Sequence, residues 1–87
     1  MLKVSVISPE AMLFEGEASS VVAPAFDGEV GILPNHAPMI TVLGQGTLRV
    51  EGATPARFNV SGGFVQVVDN TVRVVTEKAS LSHGDRS

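Results

Sequence analysis

The 87-residue sequence contains no cysteine, tryptophan or tyrosine. Without cysteine there can be no disulfide, no thiolate nucleophile and none of the usual zinc sites. The sequence also lacks the tryptophan and tyrosine platforms that a sandwich binding sugars or small metabolites uses. The fold must therefore be stabilised by packing alone, and a free-standing ligand-binding domain is a weak alternative.

Charge is also scarce, because charged residues make up 17% of the chain while hydrophobic residues make up 44%. The six basic residues are scattered singly and the net charge is −3, which argues against nucleic acid as a partner. Two interpretations of the low charge stay open. Either part of the surface is neutral or apolar and covered by a partner, or Val, Ala and Gly simply fill a small sheet protein.

No segment approaches the roughly 18–20 apolar residues that span a membrane, and the first residues do not resemble a signal peptide. We therefore expect the protein to stay in the compartment where it is made. Any association with a membrane would be indirect, through another protein.

Apolar and polar residues alternate over several short segments, which is the period of a half-buried β-strand. Strands of this kind are predicted around residues 2–6, 48–51, 57–60 and 72–74. Three further segments are more continuously apolar, and we predict strands covered on both sides there: Ser20–Pro24, Met39–Leu43 and Phe64–Val68. Among the four phenylalanines, Phe58 is the one we assign to the core.

Short turn sequences separate these strands, and their residues tolerate a positive φ angle. The predicted turns are Asp27-Gly28, Gly44–Gly46, Glu51-Gly52, Gly62-Gly63 and Asp69-Asn70. Their regular spacing predicts an all-β sandwich or barrel in residues 1–79, without a helix of consequence. Residues 80–87 are polar and are expected to form a flexible tail.

Residues that could support catalysis are few. The only histidines are His36 and His83, so a nucleophile with a partner base is improbable, and a small hydrolase is a remote alternative. Asp27 and Glu29 are the only possible metal ligands near His36, and they are better explained as a solvated pair in a turn. The glycine-rich turns do not continue into a phosphate-binding lysine. We predict no catalytic, cofactor or metal site.

The segment from Asp27 to Pro38 differs from the other predicted turns in its combination of glycines and prolines. Glycines at 28 and 31 permit sharp bends, while Pro34 and Pro38 remove backbone donors, so the loop should be rigid. From chemistry alone, His36 is best explained as capping a turn through a ring hydrogen bond.

This segment resembles the signature loop of the ε subunits of F-type ATP synthases. The residues that carry the resemblance are, in order, Gly28, Glu29, Gly31, Ile32, Pro34, His36, Ala37 and Pro38. The flanking segments Val6–Glu10, Phe14–Gly16 and Ser61–Val65 are similar to other parts of that family. The resemblance covers roughly residues 2–79.

This resemblance implies a flattened β-sandwich of about ten short strands at the foot of the central rotor. Similar subunits bind the γ subunit, contact the polar loops of the c ring, and help to couple proton flow to ATP synthesis without being catalytic. By position in the motif, Glu29 matches the acidic residue that faces the c ring, while Ser8 and His36 match residues that face γ.

Family members commonly continue into two antiparallel helices, which this sequence does not include. We expect either a short natural form or a truncated chain, without the nucleotide-sensing and inhibitory roles of those helices. The implied location is the cytoplasmic face of the bacterial inner membrane. The alternative is the stromal side of the chloroplast thylakoid.

Overall fold

The computed structural model describes residues 1–81, and this part of the chain is built from β-strands without a helix. The strands are β1 (Leu2–Ile7), β2 (Met12–Ala18), β3 (Ser20–Ala25), β4 (Gly28–Ile32), β5 (Met39–Val42), β6 (Gln45–Glu51), β7 (Ala56–Val68) and β8 (Thr71–Leu81). The all-β prediction is confirmed. The described part has eight strands where about ten were expected, because β7 and β8 are long enough to serve two layers.

The strands form one hydrogen-bonded array that folds over into two layers. In the first sheet the order is β2, β1, β8, β7, β5, with β1 and β8 parallel. In the second sheet the order is β8, β7, β6, β3, β4. The N-terminal half of β7 and the C-terminal half of β8 belong to the second sheet. The C-terminal half of β7 and the N-terminal half of β8 belong to the first sheet. The two layers enclose a single core.

The bend between the layers lies at Gly62-Gly63, where we predicted a turn between two strands. That prediction is wrong, because both glycines lie inside β7 and the register with β8 continues from Ser61–Lys78 to Gly63–Thr76. The glycines have φ angles of 77° and 110°, which side-chain-bearing residues rarely adopt. They therefore bend the strand from one sheet to the other instead of reversing it.

The core contains alternate residues from both sheets. Phe58 is buried, as predicted, and its ring meets Phe14 edge-to-face with centroids 6.3 Å apart. The other fully or nearly buried apolar side chains are those of Leu2, Val4, Val6, Ala18, Val21, Ala23, Ile32, Leu43, Leu48, Val50, Val60, Val65, Val67, Val72 and Val74.

The prediction that β5 is covered on both sides is wrong for this chain. Ile40 and Val42 are 66% and 59% exposed, whereas Met39 and Thr41 turn inward and are partly buried. The strand pairs along its length with β7, and a continuous apolar sequence does not reveal which face lacks a covering layer. Val68, at the end of the third such segment, is also exposed.

The last strand continues to Leu81, which pairs with Phe58, while Ser80 pairs with Asn59. A flexible tail was predicted for residues 80–87. Residues 80 and 81 are part of this strand, and residues 82–87 lie outside the described residues. In residues 1–81 no helix is long and apolar enough to cross a membrane.

Candidate functional site

The segment that resembles the signature loop forms strand β4 in its first part, and its remaining residues, 33–38, connect β4 to β5 through a tight turn. From here on, residues 33–38 are called the signature loop. The backbone N–H of His36 donates to the carbonyl of Leu33 at 3.2 Å, and Asn35 has a φ of 68°. Pro34 in the second position and a positive-φ asparagine in the third are the requirements of a type II turn. The proline and the asparagine therefore fix the shape of this part of the loop.

A second contact attaches the loop to the β7–β8 hairpin. The backbone N–H of Asn35 donates to Oδ1 of Asn70 at 2.6 Å. Asp69 and Asn70 have φ angles of 52° and 60°, as the two central residues of a type I′ turn do. The sequence predicted a turn at Asp69-Asn70 but not this contact, because nothing in either segment indicates a partner 35 residues away.

His36 is half-buried beside this turn. Its Nδ1 lies 2.7 Å from the carbonyl oxygen of Ala37, and since a carbonyl can only accept, Nδ1 carries the proton and donates. The ring hydrogen bond considered from the sequence is therefore present. It leaves Nε2 free of this contact and fixes the ring on the surface of the loop.

Ser8 closes the connection between β1 and β2. Its backbone N–H donates to the carbonyl of Ala11 at 2.9 Å, and its hydroxyl lies 3.3 Å from both that carbonyl and Oε1 of Glu10. Only 8% of the residue is exposed. The hydroxyl is thus engaged in the local turn.

One row of residues across the outer face of the first sheet is apolar, while the next outward row on β1, β8 and β7 consists of Ser5, Arg73 and Gln66. Strand register places Ile7 beside Val75, Val75 beside Phe64, and Phe64 beside Val42, so these four residues form one row across β1, β8, β7 and β5. Their sequence neighbours Val6, Val74, Val65 and Thr41 point inward. With Ile40, which neighbours this row on β5, these residues define what we call the apolar face: Ile7, Ile40, Val42, Phe64 and Val75.

The apolar face continues at both ends of the row. The N–H of Phe26 donates to the carbonyl of Val42 at 3.0 Å, and Phe26 itself is 76% exposed. At the other end, Ile7, Ser8, Phe64 and Val75 help to line a pocket of about 400 Å³. Exposed apolar side chains that cluster, as those of Ile40, Val42 and Phe26 do here, often mark an interaction site.

Ser8 and His36 lie toward opposite ends of the strands of the first sheet. Ser8 directly follows Ile7, in the row of Val75, while the loop of His36 contacts Asn70, directly before Thr71. Thr71 and Val75 are four residues apart on β8, about 13 Å at the usual rise of a strand. The two residues are therefore not in contact, and they lie at opposite ends of the same sheet.

Glu29 lies on the other sheet, in the edge strand β4, where it is exposed and pairs with Pro24 of β3. Gly31, two residues further along, has open space around it, because a Cβ placed there would meet no atom within 4 Å. The outer face of this sheet is polar: Thr47 pairs with Asn59 and Asn59 with Ser80. Glu29 thus lies on a different sheet from Ser8 and from the β7–β8 turn that the loop of His36 contacts.

In the part of the chain that the structure describes, no three side chains capable of holding a metal ion converge. The described residues present an apolar row on the first sheet and a largely polar outer face on the second.

Comparison with known protein families identifies the family of this chain. Residues 1–82 match the family described as ATP synthase, delta/epsilon chain, β-sandwich domain. The chain belongs to this family. The resemblance of the signature loop is thereby confirmed, and so is the prediction that the chain is not a catalytic subunit.

Curated relatives support the assignment to the ε chain. The chain is 48% identical over 81 residues to the ATP synthase epsilon chain of Leptospira borgpetersenii, and 43% identical over 81 residues to that of Syntrophomonas wolfei. These matches cover 92% and 91% of this chain but only 64% and 58% of the relatives. The chain thus spans about 60% of the length of the relatives it matches.

Two solved structures have the same fold. One is the Euglena gracilis mitochondrial ATP synthase, OSCP/F1/c-ring, with a TM-score of 0.84 and 24% identity over 92% of this chain and 52% of that chain. The other is the central stalk/c-ring of the Tetrahymena thermophila mitochondrial ATP synthase, with a TM-score of 0.80 and 20% identity over 91% of this chain and 65% of that chain. At this level of identity the likeness shows the fold.

Proposed function

We propose that this domain is part of the rotor of a proton-translocating ATP synthase, where it binds the γ subunit through the apolar face and contacts the c ring through Glu29. In this role it couples proton flow to ATP synthesis without catalysing a reaction. Family membership and the origin of the structural neighbours, a central stalk/c-ring among them, support the assignment. The observation that carries it is the apolar face, which is exposed at its β5 end, at Ile40 and Val42.

The apolar face can contribute free energy to a contact with a partner. Full burial of a large apolar side chain contributes about 1.5–3 kcal/mol. Ile40, Val42 and Phe26 are each more than half exposed, so most of that contribution is still to be gained when a partner covers them. Ser8 is engaged in its own turn, so at this end of the face we assign the binding to the apolar pocket beside it.

A charge placed in the apolar face tests this assignment. Val42→Asp should weaken γ binding at least a hundredfold, because an unpaired carboxylate would be buried against an apolar partner surface. Val42 is 59% exposed in the isolated chain, so the domain should still fold. Binding is measured by titration calorimetry with purified γ subunit, and the melting temperature is recorded in parallel.

The matched control is Asn59→Asp, which adds the same charge at an exposed position on the second sheet. It should leave γ binding unchanged. If Asn59→Asp weakened binding as much as Val42→Asp did, γ would not be using the apolar face in particular.

Glu29 is proposed to hold the c ring through an exposed, charge-assisted hydrogen bond. Such a contact contributes about 1–3 kcal/mol and weakens with salt, because exposed charges are screened. Glu29→Gln should therefore loosen rotor assembly modestly, and most clearly at low ionic strength. Assembly and coupled ATP synthesis in reconstituted vesicles measure the effect.

Glu51→Gln is the control, since Glu51 is also exposed on the second sheet but pairs with Ser20, four residues along β3 from the partner of Glu29. We expect no change for this variant. Unaltered assembly and synthesis for Glu29→Gln at both low and high salt would remove Glu29 from the c-ring contact.

The proposed location follows from the proposed partners. As part of the rotor, the domain would lie at the membrane only through the complex, and the bacterial relatives favour the cytoplasmic face of the inner membrane over the thylakoid. The domain should co-sediment with membranes that contain the complex. Equal sedimentation with membranes that lack it would contradict an indirect attachment.

A further inference from the structure

Asn70 joins three separate parts of the fold. Its side-chain Oδ1 accepts the N–H of Asn35 at 2.6 Å, and its backbone carbonyl accepts the N–H of Lys3 at 2.8 Å. The residue itself forms the β7–β8 turn together with Asp69. It thus contacts the signature loop, the start of β1 and the central hairpin at once.

We propose that Asn70 is a positioning residue for the signature loop, whose carboxamide oxygen fixes the loop in the conformation that γ binds. This proposal rests on the γ-binding role proposed above. The turn of Pro34 and Asn35 determines the shape of the loop but not its direction relative to the sheets. The bond to Asn70 supplies that direction, because it attaches the apex of the turn to the end of two core strands.

The position of His36 depends on this contact. His36 follows Asn35 directly, and the two residues line a shallow pocket of about 300 Å³ with Asp69 and Asn70 on its other side. Without the bond, the loop would be attached to the sheets only through β4 and β5. His36 would then occupy a range of positions beside the β7–β8 turn.

The chain offers a substitution that removes the contact without weakening the hairpin. Asn70→Gly deletes Oδ1, but glycine accepts a φ of 60° at least as well as asparagine does, and Asp-Gly is a preferred type I′ sequence. The backbone carbonyl that accepts from Lys3 is retained. Asn70→Asp is the matched rescue variant, because it keeps an oxygen acceptor at the same place and aspartate tolerates the same turn.

Two measurements separate the positioning role from γ binding. The first is hydrogen exchange of the Asn35 amide, followed by NMR in the isolated chain, which does not depend on any partner. Asn70→Gly should accelerate this exchange about tenfold while leaving the melting temperature unchanged or slightly higher. Asn70→Asp should return it to the wild-type rate.

The second measurement is the affinity for purified γ subunit. We expect Asn70→Gly to bind about three- to tenfold more weakly, as the loss of one hydrogen bond predicts, and Asn70→Asp to bind like wild type. Unchanged Asn35 exchange in Asn70→Gly would overturn the proposal, as would faster exchange with unchanged γ affinity. If the wild-type chain did not bind γ at all, the proposed function would fail, and the exchange data would still decide whether Asn70 holds the loop.

Discussion

Gly63 is the residue at which the fold should be least tolerant of a side chain. Its φ of 110° is in a region that other residues occupy at a cost of about 1–3 kcal/mol. A Cβ there would also fall onto the carbonyl oxygen of Val75 and lie 2.7 Å from Cα of Thr76, both backbone atoms of the neighbouring strand. Displacing a packed strand adds about another 1–3 kcal/mol.

Gly63→Ala should therefore lose about 2–6 kcal/mol of unfolding free energy. A domain of this size has about 4–13 kcal/mol in total, so the variant would be marginally stable or unfolded. With a urea m-value of about 1 kcal/mol/M, the midpoint of urea unfolding should fall by about 2 M or more. Circular dichroism of both proteins across a urea titration measures this shift.

Gly31→Ala is the control, because Gly31 has open space around it and no positive φ. Its unfolding free energy should stay within about 0.5 kcal/mol of wild type. If Gly63→Ala unfolded at the same urea concentration as Gly31→Ala, the bend in β7 would not depend on glycine, and the account of how one array forms two sheets would be wrong.

Three further predictions concern the core and ligand binding. Phe58→Ala should cost about 3–5 kcal/mol of unfolding free energy, whereas Phe26→Ala, at a 76% exposed position, should cost less than about 0.5 kcal/mol, as urea titrations would show. Thr76→Val should cost about 1–2 kcal/mol, because the buried hydroxyl donates to the carbonyl of Lys78 at 2.9 Å, and Thr76→Ser should keep part of that stability in thermal unfolding. Titration calorimetry of the chain with ATP should show no binding, since residues 1–81 contain no helix N-terminus and no glycine-rich loop ending in lysine; micromolar affinity would contradict this.

Local pattern was sufficient to predict the fold class and most strands. The alternation at Leu2–Val6 and at Val72–Val74 predicted strands that the structure contains, because an inward-facing residue must be apolar at every second position. At Gly62-Gly63 the same reasoning failed. Glycine permits both a reversal and a bend, and only the long pairing of β7 with β8 decides between them.

The candidate site was predictable in part. The motif and its flanking segments indicated the loop and the candidates Ser8, Glu29 and His36, but not that Glu29 lies on a different sheet from Ser8. The contact of Asn35 with Asn70 could not be predicted either. Both facts depend on strand order and on contacts between distant segments, which periodicity does not encode.

The absence of cysteine allows a direct test of the proposed γ-binding face. Single cysteines are introduced as Val42→Cys on the apolar face and Asn59→Cys on the polar face, both at exposed positions. The alkylation rate of each is measured with and without a saturating amount of γ subunit. We predict that γ slows alkylation at position 42 at least tenfold and leaves position 59 unchanged, whereas protection of position 59 with free access to position 42 would contradict the account.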